Sequence, residues 1–577
     1  MDKACKIVRN SMGRWSAAVC AALVLAPGAS VGRAAAPAAP PAPAAPSPTV
    51  VQRSDSGAQL SQANESLERQ RVAQQIEEDR KKKQAQVETD KVQTPEQSAA
   101  DLTFELTKVE IDASEILSET ELQGTAAPYI GKTVALSDLY AIRDDINRLY
   151  ADKGYLICKA YLPPQRIRGG VVQIKLLEGR TGRVTVSGLH HTKEGYVTSR
   201  VPLKPDTIAN TAELNRQLQY FNGTNDVQLR MLVHAGEKPG TTDYEIVAYE
   251  PKNHSFMVYM DNNGYESSGR LREGLFYNLR SLSGIRDRLR LNFMRSQGTN
   301  IFGIGYSVPV SKLGTRLDID YSTNTTKVIN GELSDQDIHG HASAISLALR
   351  HPLRVDRNRR DEVGIQYLNQ ISRMDWGPVT WTDDKRSTFV PYISFTRYGD
   401  SSVFYHRHSF PFTSFRGANF DINRDSNYFS YQLNMLYEKR YMHGQMFSVR
   451  LDGQFADDKD RSASDRFYLG GANSVRGYEE SFVGGNKGVT LGLTYQMPLD
   501  KKQQLNAFVF FDYGWISDDL DLNAGSYSAY STGLGITASY RNFYAGLTLG
   551  IPLKRSFEFT TKEVSSTRLD FVASVSF

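Results

Sequence analysis

Val475-Arg476-Gly477-Tyr478 sets one arginine between a β-branched residue and a glycine, and further on Phe510-Phe511-Asp512-Tyr513-Gly514 sets one acid inside a strongly apolar stretch. A guanidinium offers a fork of donors and a carboxylate accepts two of them. Taken singly, Arg476 reads as a solvated loop arginine and Asp512 as a strand residue. In a strand Asp512 shares a face with Phe510 and Gly514, while Val509 and Phe511 take the other face. His406 and His408 also share a strand face, where a weak metal site competes with a girdle or lumen position. His190-His191 sits in a turn with no cysteine or paired ligand spacing, Lys81-Lys82-Lys83 is a solvated run, and the mixed charges from Arg354 to Asp361 read as a strand-end turn. No G-x-S-x-G spacing and no Gly-rich phosphate loop occurs. No catalytic residue, metal site or cofactor is therefore assigned, and an enzyme is not expected.

The elements that must position these residues change character at Pro251. Before it, from about 101, one pattern runs twice. Phe104, Leu106, Val109 and Ile111 suggest a strand. Ser137 then caps a helix with Leu139, Ile142, Ile146 and Leu149 on one face and Gly154 beyond its end. Strands Tyr155–Leu162 and Val171–Leu177 follow. The second copy has Val184 and Val186, a helix near Thr211–Phe221, then Val227–Val233 and Tyr244–Ala248. Two β-α-β-β units, 101–180 and 181–251, are the simplest account.

Beyond 251 the helical period vanishes, and segments of alternating residues are separated by Gly/Asn/Asp/Ser turns. Sixteen strands are counted, starting near 255, 270, 286, 301, 314, 341, 361, 386, 400, 426, 445, 487, 505, 527, 542 and 567. Residues 252–577 thus hold strands of about ten residues with short turns and longer loops, as a membrane barrel requires. Loops are expected near 324–340 and 373–385. One connection, 457–486, is far longer than ordinary. It carries Phe467-Tyr468-Leu469-Gly470-Gly471 as well as Arg476. The last strand sets Leu569, Phe571, Ala573, Val575 and Phe577 on one face. A terminal aromatic on that face is the usual end signal of outer-membrane barrels. In lipid such a sheet must close, because an open edge leaves backbone groups unpaired.

Composition agrees without deciding. Mean hydropathy is −0.43, and no run of about 18 apolar residues follows the N-terminus, which excludes a bundle of membrane helices. Lys3, Lys6, Arg9 and Arg14 precede the apolar stretch Trp15–Ala26 and small residues to Ala36, the layout of a secretory signal over 1–36. Its removal takes Cys5 and Cys20, strands Cys158, and leaves no intrachain disulfide. A net charge of +4 on 577 residues is too diffuse to argue for nucleic acid. Residues 37–58 read as an Ala/Pro spacer, 59–93 as a polar helix and 94–100 as a linker. The apolar stripe of 59–93 is too thin for a core, so it is either a solvated helix or one lodged in a water-filled lumen.

Both motifs, in this order, resemble the two signatures of the outer-membrane superfamily that assembles or exports proteins. In that family the first motif tips a loop folded back into the barrel and the second lies on the inner wall of strand thirteen. The two small α+β units resemble the polypeptide-transport-associated (POTRA) domains of two-partner secretion transporters, and 59–93 resembles that branch's plug helix. The resemblance implies a β-rich chain with a 16-stranded antiparallel transmembrane barrel, preceded by two POTRA domains in the periplasm and an N-terminal helix. It also implies a lock between loop and barrel built from Val475, Arg476, Gly477, Tyr478, Phe510, Asp512 and Gly514. Arg476 would pair with Asp512, Gly477 would let the loop approach the wall, Gly514 would leave it room, and Phe510 and Tyr478 would pack around the pair. The partners implied are a secreted exoprotein, outer-membrane lipid, and the barrel-assembly machinery reading the C-terminal strand at Phe577. Translocation would need no nucleotide, and the alternative is an assembly factor of the same superfamily.

Overall fold

The computed structural model describes residues 54–85, 103–238, 240–331, 333–420, 422–518, 525–559 and 563–577. The signal segment 1–36, the spacer up to 53 and the linker 94–100 lie outside the described residues. The polar segment forms a helix, α1 (Ser56–Ala85), which starts three residues earlier than the composition suggests. Asp55 accounts for this, because its carboxylate accepts the Ala58 N–H at 2.7 Å and closes the first turn.

The first β-α-β-β unit opens with two short strands, β1 (Thr103–Glu105) and β2 (Lys108–Ile111), where alternation suggested one. It continues through α2 (Glu119–Ala126), β3 (Thr133–Ala135), α3 (Leu136–Asp152), β4 (Lys159–Tyr161) and β5 (Val171–Leu177). The sheet order is β2-β5-β4, with β2 parallel and β4 antiparallel to β5. Leu139, Ile142 and Ile146 bury the inner face of α3 against Val109, Val172 and Ile174. Ser137 lies inside that helix rather than capping it. The helix starts directly off β3, so Ala135 is the cap, and the Asp138 carboxylate accepts its N–H at 2.8 Å. Helix α2 was not anticipated, yet its signal is local. Ser118 and Glu121 form a reciprocal capping box, with the Ser118 N–H donating to Glu121 at 2.8 Å.

The second unit runs β6 (Arg180–Ser187), α4 (Glu194–Thr198), α5 (Thr211–Thr224), β7 (Gln228–Ala235) and β8 (Thr241–Tyr249), in sheet order β6-β8-β7. In both units the third long strand is central, and the second borders it on one side alone.

Strands from His254–Asp261 to Arg568–Ser576 close a sixteen-stranded antiparallel barrel. The ninth strand breaks into Ser402–Ser409 and Phe412–Asn419 at Pro411, which has no N–H for the ladder. Closure pairs Val572–Ser576 with Met257–Asp261, and the Phe577 N–H adds a bond to the Phe256 carbonyl at 2.7 Å. Where the strands alternate, Val509, Phe511, Leu534, Ile536, Leu547 and Leu569 face outward and are exposed. Strands six (Ile338–Asp356), seven (Arg359–Trp376) and eight (Val379–Tyr398) have 19, 18 and 20 residues. Most of the loop expected over 373–385 is therefore strand, joined by a tight turn at Gly377 (φ 53°). The Trp376, Trp381 and Phe420 rings pack beside it. The loop expected near 324–340 likewise shrinks to the residues between Lys327 and Ile338.

Helix α1 lies inside the cylinder. Gln59 accepts from Thr326 at 2.9 Å, Ser61 donates to Gln370 at 3.1 Å, and Asn64 donates to Ser322 at 3.0 Å. At its far end the Lys82 ammonium donates to the carbonyls of Asn222 and Asn225 at 3.2 and 2.8 Å. These carbonyls belong to the second of the two small α+β units. That unit is riveted to the barrel by Asp226, which is 3% exposed. Arg286, in the turn after the second barrel strand (Arg272–Arg280), grips it with two bonds of 2.8 and 2.7 Å.

Candidate functional site

The connection 457–486 turns back into the cylinder between strand eleven (Met446–Ala456) and strand twelve (Lys487–Pro498). Its stem is a two-stranded ribbon, Phe467–Leu469 with Val483–Gly485. Folding so long a segment against the wall costs conformational entropy, and three sets of contacts offset it.

The first set is at the tip. Asp512 lies on strand thirteen (Leu505–Asp518), fully buried, registered against Gly492 and Ser531. Its carboxylate accepts from Arg476 three times: the backbone N–H at 3.0 Å, Nε at 2.7 Å and Nη2 at 2.8 Å. The guanidinium also donates to Thr494 at 3.0 Å and stacks 3.7 Å over the Phe510 ring. Charge-assisted bonds of this kind each contribute about 1.5–3 kcal/mol.

The second set is backbone proximity. Gly477 holds φ 92°, a left-handed conformation, and a Cβ there would lie 3.1 Å from the Gly550 carbonyl carbon. Gly514 faces the stem: a Cβ there would stand 2.7 Å from Leu469 and 2.8 Å from Val475. Gly514→Val should force the tip off the wall at a cost of about 1–3 kcal/mol. The measurement is trypsin cleavage at Arg476 in native membranes, expected to be faster in the variant. Unchanged cleavage would show that the wall yields instead.

The third set is apolar. Val475, Tyr478, Leu469, Phe482, Ile516, Ala529 and Phe557 form one buried cluster. Tyr478 belongs here and does not pack around the ion pair, because the left-handed turn at Gly477 swings it to the next strands. Its hydroxyl donates to the carbonyls of Tyr530 and Lys554 at 3.0 and 2.7 Å. Of the two aromatics expected beside the pair, only Phe510 is there.

Sequence reasoning missed the base of the loop. Asp465 accepts from Arg386, and from the Tyr428 hydroxyl at 2.7 Å. Ser462 donates to Asp384 at 3.1 Å, and Arg466 pairs with Asp518 at 2.5 Å. These partners lie on strands distant in sequence, so no local spacing links them. Phe577 sits at the seam, its ring 6.1 Å from that of Phe256. His406 and His408 point outward, hydrogen-bonded to each other at 2.9 Å and onward to Tyr431 at 2.7 Å. Among the described residues no group of three or more His, Cys, Asp or Glu is placed to hold a metal.

The architecture and site define a class: a periplasmic pair of small α+β units feeding a lumen that is filled by a helix and an in-folded loop. Residues 104–179 match the family model "POTRA domain, ShlB-type", and residues 240–538 match "Haemolysin secretion/activation protein ShlB/FhaC/HecB". The chain belongs to the haemolysin secretion/activation family. It is 26% identical over 474 residues to the heme/hemopexin transporter protein HuxB of Haemophilus influenzae, covering 77% of this chain and 82% of that one. With the outer membrane transporter CdiB of Dickeya dadantii it shares 22% identity over 559 residues, 86% of this chain and 92% of that one. The solved structure of CdiB from Escherichia coli superposes with a TM-score of 0.64 at 18% identity, covering 89% of this chain and 99% of that one. This is an outer-membrane transporter of the two-partner secretion type.

Proposed function

We propose that the chain captures an unfolded partner polypeptide in the periplasm by adding it to the open edges of its POTRA sheets. It then passes the polypeptide through the barrel without nucleotide. Strand β7, eight residues long, is the better edge, since β4 offers only three. Strand addition supplies backbone hydrogen bonds whatever the side chains, which suits a substrate that has not folded. While α1 lies across the lumen a polypeptide has no path, so α1 serves as the plug and leaves during transport. The lock from Arg476 to Asp512, with Val475, Gly477, Tyr478, Phe510 and Gly514, keeps the loop on the wall meanwhile. Phe577 at the seam is the group offered to the barrel-assembly machinery, and the outward apolar rows are the lipid contact.

The observation that carries this reading is the three-point grip of Arg476 on a fully buried Asp512 beside a lumen filled by a polar helix. The test uses proteoliposomes holding the full chain, with a candidate exoprotein supplied unfolded on the POTRA side. Protease-protected exoprotein should accumulate on the far side with no nucleotide present. Accumulation only when ATP is added, or none at all with correctly oriented barrels, would sink it.

A further inference from the structure

The periplasmic half of the lumen wall carries a band of arginines that is neutralised only in part: Asp318 holds Arg350 at 2.8 Å, and Asp226 of the second POTRA unit is shared by Arg280 and Arg288 at 3.6 and 3.4 Å. Arg280 stands directly opposite Arg288, and Arg316 opposite Arg350, in neighbouring strands. Like charges in that position repel, so each carboxylate within reach stabilises the band. Helix α1 brings four. Glu68 meets Arg407 at 3.2 Å, Glu77 meets Arg440 at 3.2 Å, Glu78 meets Arg280 at 2.9 Å, and Asp79 meets Arg360 at 3.0 Å. In the other direction, wall Glu438 meets Arg80 at 2.8 Å, and Asp318 and Asp320 attract Arg71. A cleft remains between helix and wall where Arg71, Arg350, Arg360 and Arg407 converge with Glu68 and Glu362. When α1 leaves, Arg280, Arg360, Arg407 and Arg440 each lose a carboxylate while Glu438 loses its cation, which frees arginines at this level for another acidic partner.

We propose that this ring of arginines is a binding site for an acidic, extended segment of the exported polypeptide, and that the carboxylates of α1 occupy it until such a segment takes over. The inference rests on the reading of α1 as a plug that departs, and it adds the chemistry of what replaces it. A low-dielectric channel lined by one sign of charge concentrates the opposite sign. An acidic segment gains at this step, whereas a basic one is repelled.

The test is single-channel recording in planar bilayers, comparing the full chain with the fourfold variant Glu68→Gln, Glu77→Gln, Glu78→Gln, Asp79→Asn, which weakens the hold on α1. The variant should open more often, and its open current should reverse at a potential of the sign set by chloride. Oligo-glutamate added on the POTRA side should block at a concentration on the order of tenfold lower than oligo-lysine of equal length, with the difference fading in 1 M salt as screening shortens. Adding Arg280→Gln, Arg360→Gln, Arg407→Gln and Arg440→Gln should erase the preference. Equal block by the two peptides, stronger block by oligo-lysine, or a preference that survives loss of the four arginines would overturn the proposal. If a variant does not assemble, the spontaneous openings of the unaltered chain give the same peptide comparison. Export is scored separately with the unaltered chain, so peptide block without preference leaves the export reading standing. An unaltered chain that exports nothing sinks that reading whatever the peptides do.

Discussion

Asp512→Ala should reduce secretion of the partner to background while the barrel still reaches the outer membrane. The carboxylate takes three hydrogen bonds from Arg476, and removing one member of a buried pair costs about 3–5 kcal/mol, because the other charge is left without its partner. The cost falls on the loop, not on the ladder. Strand thirteen keeps its backbone pairing with both neighbours, and alanine is tolerated in it. Arg476→Lys should fail nearly as fully, since a point ammonium cannot reproduce the fork that meets both carboxylate oxygens and stacks on Phe510. Single-channel traces should turn noisy as the loop tip samples the lumen. Normal secretion with quiet channels in both variants would remove the lock from the mechanism.

Asp226→Asn should loosen the second POTRA unit from the barrel rim, with a penalty of the same order, about 3–5 kcal/mol at a buried pair. Arg286 is 1% exposed and would keep its charge without a counter-ion. Hydrogen exchange over 222–230 and 281–288 should accelerate in the variant while the core of the first unit stays protected. The pH dependence has a definite sign. Burial pushes the Asp226 carboxyl upward, but Arg288, Arg286 and Arg280 outweigh it and hold it well below the ordinary carboxylate range. A group depressed in the folded state stabilises fully above its unfolded pKa, near 3.9, and that contribution fades as pH falls toward the folded value. Exchange at the joint should thus be flat down to about pH 4 and rise below it, whereas the Asn variant shows no such step. A pH-independent joint in the unaltered chain would argue that packing, not the ion pair, holds it.

The barrel was legible because a membrane strand writes its environment into every second residue. The thirteenth strand, with Val509 and Phe511 outward and Asp512 inward, is recoverable from alternation alone. Legibility failed where alternation lapses. Strand eight was expected from about 386, yet it begins at Val379. Near the strand's outer end both faces carry polar side chains, so Thr382-Asp383-Asp384-Lys385 reads as a loop although the ladder continues through it. Ser137 was misread because its place in the chain suited a cap, while the strand before it left no room for one. The tip of the in-folded loop was visible through a compact motif. Its base was not, because Arg386, Tyr428 and Asp465 meet only once the sheet has curled round. The lumen position of α1 was one of two open readings, for its helical pattern carries no hydrophobic stripe and its partners are wall arginines scattered over more than 150 residues.

Strands six to eight also give the cylinder an uneven lip. At about 3.3 Å per residue, the 20 residues of strand eight reach far beyond what the 9 of strand sixteen can. A chain emerging into the medium meets a tall parapet along one arc and a low sill along the other. A chain leaving the barrel should therefore begin to fold against that wall, and crosslinks from the partner to residues 376–382 rather than to the edge of strand sixteen would show it.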